Sequence, residues 1–121
     1  MILASSIAFG KLPYDLILAE TDPQTVKMEM DLYWITKAGF DPVTYFKEYP
    51  KRFELVHVKD MDATPEKSFT EAGRGVIDFK KIISKAREAG IRHYFIEQDK
   101  TPGEPLESVK ISLKYLQSLK C

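Results

Sequence analysis

Three apolar runs each release one metal-capable side chain near their end: "DLYW" (31–34) carries Asp31, "LVHVKD" (55–60) carries His57, and "YFIEQD" (94–99) carries Glu97. Two carboxylates and a neutral imidazole form a mixed oxygen and nitrogen donor set that suits Mn²⁺, Mg²⁺, Co²⁺ or Zn²⁺. The lack of a nearby cysteine argues against a structural zinc site. Three protein ligands leave positions open for water or substrate. A divalent ion held in this way polarises a carbonyl and a neighbouring hydroxyl, which makes the hydrogen on the carbon between them easier to remove. Glu97, or a second carboxylate, can take that proton as general base.

Plainer roles compete for each residue taken alone. A histidine in an apolar strand is more often a hydrogen-bonded core residue than a ligand. An aspartate after apolar residues often only caps a turn, and Glu97 has Lys59 and Arg74 as possible ion partners. What favours a shared site is the recurrence of the pattern in three consecutive strand–helix units.

Those units follow from the Pro and Gly marks along the chain. "LPYDLILAET" (12–21) reads as a helix opened by Pro13 and ended before Asp22-Pro23, because the residue before a proline avoids helical geometry. "VKMEMDLYW" (26–34) reads as a strand. In "DPVTYFKEYP" (41–50), Asp41 is the N-cap of a helix that Pro50 stops. "FELVHVKD" (53–60) reads as a strand, followed by a long polar loop over 61–77. The clearest helix is "DFKKIISKAREAG" (78–90), with Asp78 as cap, one apolar face, and Gly90 where a left-handed C-cap belongs. "IRHYFIEQD" (91–99) is the next strand, and "LESVKISLKYLQSL" (106–119) is a helix on which Leu106, Val109, Leu113 and Leu116 share a face. Alternating strands and helices predict a parallel sheet covered by helices with right-handed crossovers. Ligands of such sheets sit beyond the carboxyl ends of the strands, so Asp31, His57 and Glu97 are expected on one rim.

Composition narrows the class further. A chain of 121 residues, 44% hydrophobic, can bury the core of one domain. Lys plus Arg and Asp plus Glu both number 18, leaving no basic stripe for nucleic acid. The only cysteine is Cys121, which excludes an internal disulfide and suits a reducing cytoplasm. "MILASSIAF" at the start lacks the basic flank of a signal peptide and is expected to form a strand or an arm. No stretch approaches the ~18 unbroken apolar residues of a membrane span.

Five segments together carry a family likeness. "VKMEMDLYWITKAGFDP", "RFELVHVKDMD", "GRGVIDFKKI", "HYFIEQD" and "PLESVKISLKYL" resemble, in order and spacing, the C-terminal part of the sugar phosphate isomerase/epimerase family, the xylose-isomerase-like (β/α)₈ barrels. The resemblance spans residues 11–119. It implies an α/β fold that is a partial (β/α)₈ TIM barrel, about its last three to four βα units. Residues 1–10 are then an atypical N-terminal segment and 11–121 the C-terminal half. It also implies a divalent-metal-dependent isomerase or epimerase of a sugar or sugar phosphate, working through an enediolate. By the same resemblance Asp31, His57 and Glu97 match metal ligands, with Glu97 also the catalytic acid/base. Trp34 would wall the substrate pocket, and Lys59 and Arg74 would face the substrate. For Lys59 a salt-bridged or barrel-filling side chain is an equal alternative, and for Arg74, between Gly73 and Gly75, a flexible loop arginine.

The departure from the family is as informative as the match. The family's barrel runs to about 250 residues, and its fourth ligand, a glutamate that is also a base, lies upstream of anything matched here; no glutamate precedes Glu20. The expectation is a chain incomplete as a catalyst on its own. Three or four parallel strands leave two open edges and an uncovered inner face, which predicts a homodimer or higher oligomer of half-barrels. The competing reading is a non-catalytic relic or structural module. A flavodoxin-like domain is a more distant third, lacking a Gly-rich phosphate loop.

Overall fold

The computed structural model describes residues 12–119. The expected strand or arm over 1–10 and the cysteine at 121 lie outside the described residues. Three parallel strands, β1 (Met28–Asp31), β2 (Phe53–Val58) and β5 (His93–Ile96), form a sheet in the order β1-β2-β5. Val56 and Val58 of β2 are fully buried while Leu55 and His57, which alternate with them, are not, the pattern of a strand with one face on the core. That core takes in Ile82, Ile83 and Ala86 of helix α4 (Phe79–Ala89) and Val43 and Phe46 of helix α3 (Pro42–Glu48). Three helix-covered parallel strands match the expected portion of a barrel.

The helix ends are set by the residues that the sequence marks. Asp41 accepts the N–H of Val43 at 2.9 Å, and Asp78 accepts that of Lys81 at 2.9 Å, each satisfying a donor that the helix itself leaves open. Gly90, at φ 99°, closes α4 in the left-handed conformation. Arg52 is buried and ties helix α1 (Pro13–Glu20) to the approach of β1: Nη1 donates to the Leu18 carbonyl at 2.6 Å and Nε to that of Val26 at 3.2 Å.

One expectation needs correction. The strand expected over 26–34 ends at Asp31, and "LYWITK" forms helix α2 (Leu32–Lys37) instead. Asp31 Oδ1 accepts the N–H groups of Tyr33 and Trp34, both at 3.0 Å, and this local bonding outcompetes continuation of the ladder. Helix α5 (Pro105–Ser118) does not dock through its whole apolar stripe. Leu116 is buried, but Leu106, Val109 and Leu113 are exposed, and the docked face is Ser108, Ser112 and Leu116.

The serines matter because they anchor the loop after β2. That loop contains two short antiparallel strands, β3 (Asp60–Met61) and β4 (Phe69–Thr70). Ser108 Oγ donates to Glu71 at 2.7 Å, and the Ala72 N–H donates to Ser112 Oγ at 3.0 Å. The Ser108 bond is the main cause holding the Glu71 carboxyl below its ordinary range. Asp60 is fully buried and accepts four backbone N–H groups, from Met61 (2.8 Å) and from Gly73, Gly75 and Ile77 (3.0 Å each). Burial pushes its carboxyl up, and these four donors oppose the push.

The close wrap requires glycine. A Cβ on Gly75 would stand 2.2 Å from the Met61 carbonyl oxygen and 2.4 Å from Asp60 Oδ1. Gly75→Ala is therefore expected to cost about 2–3 kcal/mol in thermal or urea unfolding. Val76→Ala, next to it but 57% exposed, should stay within ~0.5 kcal/mol of wild type. Equal stabilities for the two variants would contradict the anchored loop.

Candidate metal centre

The pairing of β1 with β2 determines what meets at the rim. Met28 lies opposite Phe53, but a register shift follows at once, so that Glu29 lies opposite Leu55 and Asp31 opposite His57. Without the shift Asp31 would lie opposite Val56, whose side chain is in the core. On the other side His57 pairs with Phe95, and the Glu97 N–H extends the ladder by donating to the Val58 carbonyl at 3.1 Å. Asp31, His57 and Glu97 thus emerge together at the carboxyl ends of three neighbouring strands, as expected.

One ligand atom from each lies within 4.8 Å of the others. His57 Nδ1 is 3.2 Å from Glu97 Oε2 and 3.6 Å from Asp31 Oδ2. Asp31 divides its two oxygens: Oδ1 caps α2 and Oδ2 faces the cluster. The capping role and the site role therefore coexist on one carboxylate. Asp31 is buried, His57 half-buried, and the Glu97 side chain 41% exposed, which leaves the cluster open on the Glu97 side.

Lys59 adopts the salt-bridged arrangement. Its side chain is 1% exposed, and Nζ lies 2.6 Å from Glu97 Oε2, 2.7 Å from Asp99 Oδ2 and 3.1 Å from Asp31 Oδ2. Burial alone would lower its pKa, but the hydrogen bonds to Asp99, Glu97 and Asp31 outweigh that and hold the ammonium well above its ordinary range. It is a fixed positive charge. Two carboxylates here escaped the sequence reading, Asp99 and Glu29, the latter 2.9 Å from His57 Nε2. The available signal was the strand period of two, since Glu29 precedes Asp31 and Asp99 follows Glu97 by two residues.

The donor chemistry fits a divalent cation. Four carboxylates gather around one ammonium and one imidazole, an excess of negative charge that a doubly charged ion would offset. Such an ion would share Asp31 Oδ2 and Glu97 Oε2 with Lys59. Trp34 packs edge-on against Tyr33 (5.1 Å) and Phe69 (5.9 Å). Lys59 Nζ stands over the same Phe69 ring at 5.6 Å, and Phe69, Tyr33 and Lys37 line a cavity of about 530 Å³. Arg74 is set apart: its side chain is 58% exposed, and its ion partner among the described residues is Glu71, at 3.9 Å.

No protein-family model matches the chain. Over 86% of its length it is 31% identical to an inosose dehydratase of Lacticaseibacillus casei, and it spans 41% of that relative's length. The structure of a sugar phosphate isomerase/epimerase from Parabacteroides distasonis is 36% identical, with a TM-score of 0.76 over 90% of this chain and 36% of that one. A xylose isomerase-like TIM barrel/4-hydroxyphenylpyruvate dioxygenase fusion protein, 17% identical, shares the fold with a TM-score of 0.68 over 88% of this chain and 19% of that one. By sequence and fold together, the chain is similar to part of a sugar phosphate isomerase/epimerase, and its helix-covered parallel strands match a portion of a TIM barrel.

Proposed function

We propose that this chain carries the cation-holding and acid–base portion of a site that removes a proton next to the carbonyl of a sugar or sugar phosphate. The supporting observation is the convergence of Asp31, His57 and Glu97 donor atoms within 4.8 Å at adjacent strand ends. Isomerisation, epimerisation and dehydration of a hydroxy-carbonyl compound all begin with that one step. Returning the proton to the neighbouring carbon isomerises, returning it to the opposite face epimerises, and expelling the adjacent hydroxyl dehydrates. The relatives' different names are thus compatible with one shared set of residues.

On this reading Asp31, His57 and Glu97 hold a divalent cation, whose charge stabilises the oxyanion that develops as the proton leaves. Glu97 accepts the proton, being the more open of the two carboxylates in that set. Lys59 holds Glu97 in place through its 2.6 Å bond. Trp34 forms the apolar wall beside Phe69, and Arg74, on its exposed loop, is the proposed contact for a substrate phosphate. A further glutamate from another barrel segment completes the acid–base pair. The setting is a reducing cytoplasm, in keeping with the single cysteine. Mn²⁺ titration followed by calorimetry should show binding to wild type and a loss of at least about tenfold in His57→Ala. Equal binding by the two would remove the cation site.

The uncovered surfaces support an assembly. Among the described residues β1 and β5 each have one strand neighbour, Phe95 on β5 is 48% exposed, and α5 exposes Leu106, Val109 and Leu113. We infer that copies pair across these surfaces as half-barrels. The same surfaces favour the alternative of a purely structural module, which the Mn²⁺ titration separates from the catalytic reading. Light scattering at micromolar concentration should give a dimer or larger species; a monodisperse monomer would contradict the pairing.

A further inference from the structure

We propose that Glu29 is a positioning residue for His57: its carboxylate accepts the Nε2–H, so that the imidazole directs the lone pair of Nδ1 toward Asp31 and Glu97. The inference rests on the reading that those residues hold a cation. His57 has a carboxylate at each ring nitrogen, with Glu29 Oε1 2.9 Å from Nε2 and Glu97 Oε2 3.2 Å from Nδ1. A neutral imidazole carries one proton, so its two nitrogens must take different roles. A cation beside Asp31 and Glu97 excludes the proton from Nδ1, and Glu29 is the acceptor that holds it on Nε2. Carboxylates placed in this way fix the tautomer and ring orientation of a ligating histidine and increase its basicity.

The backbone places Glu29 there by the same device that places Asp31. The register shift lies between Met28 and Glu29, so both carboxylates share the face of β1 that turns toward His57. Glu29 lies one strand repeat before Asp31, and the two carboxylates reach different ring nitrogens, Nε2 and Nδ1. The side chain is 40% exposed, so no packing demand accounts for a carboxylate at this position.

The test uses the full chain labelled with ¹⁵N, with Zn²⁺ as a diamagnetic probe and long-range ¹H–¹⁵N correlation to read the ring nitrogens. His93→Gln identifies the His57 signals, since the chain has two histidines. In the neutral imidazole the wild type should carry its proton on Nε2, and Zn²⁺ should shift Nδ1 alone. Glu29→Ala should spread the proton over both nitrogens and weaken Zn²⁺ binding about 10- to 100-fold. Glu29→Gln, which keeps an acceptor oxygen, should restore the Nε2 preference. A wild-type proton on Nδ1, or a tautomer ratio unchanged in Glu29→Ala, overturns the proposal even where Zn²⁺ binds. A wild type that takes no Zn²⁺ but shows a Glu29-dependent Nε2–H would instead defeat the cation reading and leave the positioning role standing.

Discussion

The site depends on one irregularity in the backbone, the register shift between Met28 and Glu29. Side chains of a strand alternate between faces, so a slip of a single residue exchanges the buried set for the open set. Continued in register from Met28–Phe53, the strand would set Asp31 level with Val56 in the core. The shift sets it level with His57 and brings Glu29 onto the same face. Asp31 then ends the strand by capping α2 with one oxygen, which holds its other oxygen at the rim. Helix start, strand end and ligand position are thus three consequences of one aspartate in the right register.

Charge is the second constraint. Lys59 lies in the interior, and a buried ammonium is tolerable only when it is paired and hydrogen-bonded. Asp31, Glu97 and Asp99 supply those bonds, and in doing so they are drawn to one point. The ammonium gathers the carboxylates but does not neutralise them. The remaining negative charge is what the proposed cation would offset, and because it would share oxygens with Lys59, the ammonium would then yield part of its coordination.

Much of this was legible in the residues. Asp41, Asp78 and Gly90 mark helix ends by chemistry that acts within a few residues, and the structure places those ends where the marks stand. The three strands and their parallel order follow from apolar runs alternating with helices. What could not be read depends on contacts distant in sequence. The register shift belongs to a pair of strands rather than to either one, so the roles of Glu29 and of Asp99 were hidden. The docked face of α5 does not follow from its apolar spacing, because two of its buried positions are serines whose partners Glu71 and Ala72 lie in a loop about 40 residues earlier. The strand over 26–34 was read too long because "MDLYW" has the composition of a strand, and only the capping bond of Asp31 breaks it.

The central claim is that three strand ends form one cation site. Anomalous diffraction from crystals soaked in Mn²⁺ tests it directly. The account predicts a peak about 2–2.3 Å from Asp31 Oδ2, from a ring nitrogen of His57 and from a Glu97 carboxylate oxygen, with Lys59 Nζ moved off at least one shared oxygen. A density map with no peak there, and with Lys59 still bonded to Asp31, Glu97 and Asp99, would contradict it.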